Sequence, residues 1–411
     1  MPTILHIDFD SFFASVAQQY NPKLRNRPVA ITAANGRTAI IAASREAKAR
    51  GIKSPSRTQD GYNICPELLL EKADFLLYFE VSKKFIHICS EYSLFVELFS
   101  IDELFMDVTK TAHLFGGVES LIETIRKRIA EEFGEYITVS VGVSYNKMLA
   151  KMASGLYKPN GVCTITPVNL LDVYKKAKLR DICGIGFRIE KRLNLLGVYN
   201  LLQLREVPLL KLVSAFGNVE GNFLYRVGQG IDTSELTLYT DKPDVKSVSR
   251  NYCLPHNEYN RKVVEQNVYE LCEEIALKLR RLKKKSRTIG LFLRGNDNYG
   301  GHQSVSEFVD NGSDMFIICK KFIHEWNMPM VRMISVWAGN LIDAKATPQS
   351  LFEQDGKKEK LQRVIDGINE QFGDHTIRNG FLLYSDKLTT VPNGFMADKF
   401  ERTKLAEETV F

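Results

Sequence analysis

No eighteen consecutive residues of this chain are apolar, so no membrane-crossing helix is expected. The N-terminus lacks a basic stretch, a long apolar run and a small-residue cleavage pattern, so no secretory leader is expected either. The seven cysteines (65, 89, 163, 183, 253, 272 and 319) are odd in number and scattered, with no Cys-x-x-Cys. That argues against a disulfide framework or a zinc ribbon and for reduced thiols in a cytoplasm. The seven histidines are equally dispersed and suggest no imidazole metal cluster. Neither sign of charge dominates, since 55 basic residues face 49 acidic ones for a formal net charge of +6. With 44% hydrophobic and 25% charged residues the composition is that of an ordinary globular protein. Its 411 residues allow two or more domains with sizeable cores.

What is present is acid at strand ends. Thr3 to Asp8 is a short hydrophobic run ending in a carboxylate, and a second run, Phe99 to Asp107, carries the adjacent pair Asp102 and Glu103. If the two runs pair as strands, three carboxylates meet at one sheet edge. Clustered carboxylates repel unless a cation neutralises them. Hard oxygen ligands suit Mg²⁺, and a pair of such ions forms the clamp used in in-line phosphoryl displacement. The first expectation is therefore a metal-dependent nucleotidyl transferase. An acid at a strand end is also a common turn residue, so the rest of the chain must decide.

Residues 1–10 read as a strand entering the Asp8-Phe9-Asp10 turn, and Ser11 to Val16 as a short helix. Residues 38–43 read as a buried strand leading to a helix, with Ser44 as its N-cap and Gly51 as its stop. Residues 95–108 read as two strands around the acidic pair. Leu121, Ile122, Ile125, Ile129 and Phe133 recur at helical spacing before Gly134, and residues 137–143 alternate as a strand. The order strand, helix, strand, strand, helix, strand predicts a ferredoxin-like sheet.

Near Pro167 the pattern becomes all-helical. Cys183-Gly184-Ile185-Gly186 opens a helix, an arrangement whose free N–H groups can hold a phosphate, although a plain helix–helix turn has the same signature. Residues 233–246 read as a polar linker. A second strand, helix, strand, strand, helix, strand pattern follows, with strands at 247–254, 288–294, 302–309 and 331–340. It carries the cations Lys278, Arg280, Arg281, Lys283, Lys284, Lys285, Arg287 and Arg294, which could form one phosphate-binding surface. Residues 345–411 read as a polar, charged tail with a helix near 360–372 bearing Leu361, Val364, Ile365, Ile368 and Phe372 on one side and a loose end.

Four motifs stand in order: Asp8-Phe9-Asp10-Ser11-Phe12-Phe13, Ser100-Ile101-Asp102-Glu103, Ser140 to Lys147, and Lys158-Pro159-Asn160-Gly161. Together they resemble the Y family of translesion DNA polymerases, from residue 1 to about 345. The tail resembles the bacterial polymerase V catalytic-subunit branch more than the polymerase IV branch. The resemblance implies an α+β multidomain right hand. Its parts are a ferredoxin-like palm (1–10 and 76–166), small fingers (11–75), a helix-hairpin-helix thumb (167–233), a linker (234–246), a ferredoxin-like little finger (247–344) and the tail (345–411).

It also implies roles. Asp8 and Asp102 would bridge two Mg²⁺ ions, with Mn²⁺ able to substitute, joined by Glu103 and the Phe9 carbonyl. Arg45, Lys48 and Lys158 would hold the triphosphate of a dNTP near Phe12 and Ala42. The family more often has Tyr, Arg and a hydroxyl residue where this chain has Arg45, Lys48 and Ala42. Phe13 would be the steric gate against a 2′-hydroxyl. Gly184, Gly186, Arg280, Lys284, Arg287 and Arg294 would contact primer-template DNA. In the tail, Leu351 and Phe352 resemble the anchors of a sliding-clamp peptide, with Gln349 displaced by one position. Accessory subunits or a recombinase filament are further partners of that kind of enzyme, at the nucleoid in the cytoplasm. The implied function is low-fidelity translesion synthesis in a damage response. A catalytically silent scaffold binding DNA and clamp remains the alternative.

Overall fold

The computed structural model describes residues 1–33, 39–241, 244–326, 329–347, 353–373 and 376–383. The tail residues Leu351 and Phe352 lie outside the described residues. The chain divides into two compact units between residues 243 and 244.

In the first unit, β1 (Ile4–Phe9) runs into α1 (Phe12–Tyr20). Then come β2 (Val29–Thr32), β3 (Ala39–Ala43), α2 (Arg45–Ala49), β4 (Ser56–Arg57), α3 (Thr58–Ile64) and β5 (Leu69–Lys72). These four strands form a small sheet of order β4-β3-β2-β5 over its own core of Ala30, Ile40, Ala43, Ala47 and Ile52. Next are α4 (Phe75–Ser90), β6 (Val96–Leu98), β7 (Glu103–Asp107), α5 (Val118–Phe133), β8 (Val139–Ser144), α6 (Lys147–Leu156) and β9 (Val162–Thr164). The main sheet has the order β6-β7-β1-β8-β9. Its first four strands have the expected ferredoxin-like order, and β9 adds a parallel edge to β8.

Strand alternation sorts β1 between two layers. Leu5, Ile7 and Phe9 join the core containing Phe85 of α4 and Ile125 of α5. The other face of β1 lies against α6, where Ile4 packs with Phe105 and Ala150. Helices α7 (Leu170–Lys176), α8 (Phe187–Leu195), α9 (Leu201–Glu206), α10 (Leu209–Phe216) and α11 (Asn218–Gln229) close on Leu193, Leu204, Leu212 and Leu224. The stretch read as a polar linker is anchored where it begins. Thr237 N–H donates to Glu97 at 2.9 Å and Tyr239 N–H to the Val96 carbonyl at 2.9 Å.

The second unit contains β10 (Ser247–Glu258), α12 (Arg261–Arg281), β11 (Lys284–Arg294), β12 (Asn298–Val309), α13 (Gly312–Glu325) and β13 (Val331–Asp343). The element order is as expected, but the strand order is not ferredoxin-like. It is β10-β13-β11-β12, so the last strand, not the third, separates the first two parallel ones. The burial pattern explains the difference. Strand β13 buries Val331, Ile334, Val336 and Ala338 and is central, whereas β12 is largely polar and exposed and takes the edge.

The helix expected in the tail is present and docked, and the end of the tail, expected to be loose, lies outside the described residues. Helix α14 (Glu353–Phe372) is tied by Asp366 to Arg280 and by Glu359 to Lys285, and Leu382 is buried. The helix is rotated so that these acids meet their cations, which leaves Leu361, Val364 and Phe372 exposed and Ile365 and Ile368 half-buried.

Candidate active site

Antiparallel pairing of β1 with β7 sets Asp8 directly opposite Glu103, and His6 opposite Phe105. Asp102 precedes β7 and is held against the end of β1, because Phe9 N–H donates to its carbonyl at 2.9 Å. Its carboxylate accepts a hydrogen bond from the Ser100 hydroxyl. The three acids predicted from the sequence therefore do meet at one edge.

Their electrostatics are uneven. Burial raises the Asp8 carboxyl to about 7, with the Glu103 and Asp102 charges adding to the effect and Lys158 opposing it. Burial likewise raises Asp102. Burial pushes Glu103 up too, but His6 and the Lys151 ammonium outweigh it and hold that carboxyl below the usual range. His6 is itself fully buried, and burial lowers it to about 4, so it is neutral at pH 7. Its Nδ1 is 2.7 Å from the Ser154 hydroxyl, while Nε2 lies 3.0 Å from a Glu103 oxygen and is a buried nitrogen without a hydrogen bond. Carboxyls whose ionisation is disfavoured by burial are stabilised by a cation. His6, Asp8 and Glu103 offer ligand atoms all within 4.8 Å of one another. This oxygen-rich edge fits a hard divalent cation.

One open cleft brings Asp8, Phe9 and Asp102 together with Phe12 and Phe13. Ala42, Lys48 and Lys158 line the same cleft, whereas Glu103 and Arg45 do not. Lys48 projects from α2, whose start is fixed by Ser44: its hydroxyl accepts from Ala47 N–H at 3.2 Å, as the sequence predicted. The Lys48 ammonium donates to the Ser11 hydroxyl at 2.8 Å, and Lys158 pairs with the Asp8 carboxylate. Arg45 instead donates to the Thr138 hydroxyl, and its Nε is buried without a hydrogen bond. Phe12 stacks on Phe9 with centroids 5.0 Å apart, and Phe13 lies flat on Tyr78 at 4.4 Å and 16°.

Sequence reasoning missed His6, Lys151 and Ser154. The signal was available for His6, because residues two apart on a strand share a face. It was weaker for α6, where Lys147, Lys151 and Ser154 recur at helical spacing but need the sheet to give them meaning.

The glycine-rich turn at 183–186 is formed as expected. Gly184 has φ +106°, and a Cβ there would meet the Phe223 ring at 2.7 Å. Gly186 is the N-cap of α8, with no side-chain cap bond, so its first N–H groups are open to an acceptor. In the second unit the expected single positive surface is partly consumed. Arg280 makes a two-pronged pair with Asp366 at 2.6 and 2.8 Å and donates to the Asp310 carbonyl at 2.6 Å. Lys284 faces Asp244 at 3.2 Å, whereas Arg287 and Arg294 are exposed.

Comparison with known proteins agrees with this geometry. Residues 7–155 match the impB/mucB/samB family, 245–351 its C-terminal domain, and 180–232 the DNA polymerase-iota thumb domain. A DNA polymerase IV of Pelotomaculum thermopropionicum is 32% identical, over 91% of this chain and 94% of its own length. DNA polymerase IV 2 of Bacillus subtilis is 30% identical, over 91% and 93%. These relatives bear the polymerase IV name, the branch from which the tail had pointed away. A Y-family DNA polymerase chimera of Dbh and Dpo4 superposes with a TM-score of 0.71 at 25% identity, covering 83% of this chain and 99% of the chimera. The chain belongs to the Y family of DNA polymerases.

Proposed function

We propose that this polymerase performs template-directed, low-fidelity synthesis across damaged template positions, at the nucleoid in the cytoplasm, in response to DNA damage. In this reading 1–10 and 76–166 are the palm, 11–75 the fingers, 167–233 the thumb and 247–344 the little finger. The observation that carries it is the junction of Asp8, Asp102 and Phe13 in one cleft, with Phe13 backed flat by the buried Tyr78. Asp8 and Asp102 would hold the cations, with Glu103 and the Phe9 carbonyl completing the site. Two divalent cations, Mg²⁺ with Mn²⁺ able to substitute, would acidify the primer 3′-hydroxyl and neutralise the pyrophosphate leaving group. Lys151 would keep Glu103 ionised and in place, with the neutral His6 packed beside it. Lys48 and Lys158 supply the positive charge for the triphosphate, with Arg45 behind them. Phe13 would exclude a sugar 2′-hydroxyl, and Ile41 and Ala39, small and aliphatic beside the templating base, would leave its pocket permissive.

Gly184, Gly186, Arg287 and Arg294 would grip primer-template phosphates. A sliding clamp is the proposed partner of Leu351 and Phe352, with accessory subunits or a recombinase filament as further activators. Primer extension with dNTPs and Mg²⁺ tests the reading, comparing wild type with Asp102→Ala. Extension by wild type alone, with DNA binding equal in both, is the expected result. DNA binding without extension by either, even with clamp and filament added, would instead mark a silent scaffold.

A further inference from the structure

The second acid of the Asp8-Phe9-Asp10 motif has no part in the cation site, yet it is 2% exposed. Its carboxylate accepts three hydrogen bonds. Ser140 Oγ donates to Oδ1 at 2.8 Å, while Thr138 Oγ1 and the backbone N–H of Asn160 donate to Oδ2, each at 2.7 Å. Two of the three donors lead to a cation. Asn160 lies two residues after Lys158, in the turn that aims that ammonium at Asp8. Thr138 gives its proton to Asp10 and accepts from the Arg45 guanidinium, at the first turn of the helix that carries Lys48. The backbone fixes the hub itself, since Asp10 N–H donates to the Thr138 carbonyl at 2.9 Å and its own carbonyl accepts from Ser15 Oγ at 2.6 Å.

We propose that Asp10 is a positioning residue for the incoming nucleotide: through Asn160 and Thr138 it sets Lys158 and the Arg45–Lys48 helix at the spacing the triphosphate requires. A buried carboxylate suits this task because charge-assisted bonds are short and directional, and one group can register two separate chain segments against β1. This inference rests on the proposed triphosphate role of Lys48 and Lys158. Displacing such cations weakens nucleotide capture more than it alters the acids that hold the metal.

Steady-state extension kinetics of Asp10→Ala, Asp10→Asn and Thr138→Val test it, with DNA affinity and thermal melting measured on the same proteins. Asp10→Ala is expected to raise KM for dNTP about tenfold or more while kcat falls less. Asp10→Asn should recover most of that loss. Its carbonyl still accepts from Asn160 and Thr138, and its amide can donate to the rotatable Ser140 hydroxyl. Thr138→Val, which keeps the shape and cuts only the Arg45 arm, should give a smaller rise in KM. A fall in kcat at unchanged KM, or an Asp10→Asn variant no better than Asp10→Ala, would overturn the proposal. So would a normal KM in all three variants. Absence of extension by wild type, even with clamp and filament added, would instead sink the polymerase reading on which it depends.

Discussion

As the proposed steric gate, Phe13 would draw its discriminating power from what lies beneath it. Its ring rests on Tyr78, which is 1% exposed and meets Phe75 edge-on. A ring backed in this way cannot tilt to admit a 2′-hydroxyl. Phe13→Ala is therefore expected to raise ribonucleotide incorporation relative to deoxynucleotide by about 100-fold or more, since rejection by a rigid wall is worth about 3 kcal/mol. The check is the ratio of kcat/KM for one rNTP and its dNTP. Tyr78→Ala should raise the same ratio less, while costing about 3–5 kcal/mol of stability from the buried ring it removes. Adjacent aromatics at 12 and 13 could not be told apart by pattern, because both line the cleft and both are buried. The three acids were legible because strand pairing needs only alternation. Asp10 was not, because its three donors come from residues some 130 and 150 positions away.

At the scale of elements, the site depends on how closely α6 approaches the sheet. His6 pairs with Gly142 across β1 and β8, and a Cβ at Gly142 would sit 2.0 Å from the Ala150 carbonyl and 2.4 Å from Ser154 N. The missing side chain lets the helix lie down far enough for Ser154 to reach His6 and Lys151 to reach Glu103. Gly142→Ala is expected to destabilise the protein by about 1–3 kcal/mol or more through overpacking. It should also lower extension activity as Lys151 and Ser154 withdraw. Gly155→Ala, on the same helix with nothing within 4 Å of its Cβ, is the control and should be neutral or stabilising. Thermal melts and extension rates of the two variants separate close approach from a general intolerance of alanine. The alternating residues before Gly142 disclosed the strand but not the reason for the glycine, which exists only once α6 is docked. The strand order of the second sheet was hidden in the same way. Periodicity gives elements in sequence, and only their relative burial says which becomes the edge.

For the whole molecule the question is which cations remain available to nucleic acid. The sequence offers a cluster from Lys278 to Arg294, and composition cannot say that part of it is neutralised by a helix some 80 residues later. Asp366 and Glu359 of α14 do this, at Arg280 and Lys285. Arg280 also serves the Asp310 carbonyl and is mostly buried, so leaving for a phosphate would strand Asp366 in a half-buried position. Such a switch loses a charge-assisted pair and regains a screened one. Arg294 is exposed on the last residue of β11 and incurs no such loss. Arg280→Ala is therefore expected to lower the melting temperature, with about 1–3 kcal/mol lost. The salt dependence of DNA binding should stay unchanged. Arg294→Ala should leave melting unchanged and reduce the slope of log K against log salt by about 1, the signature of one lost phosphate contact. Titrations of a primer-template at several salt concentrations, paired with melts of both variants, give the answer. A reduced slope for Arg280→Ala would mean that α14 yields its cation to DNA, so that the tail helix and the duplex compete for one guanidinium.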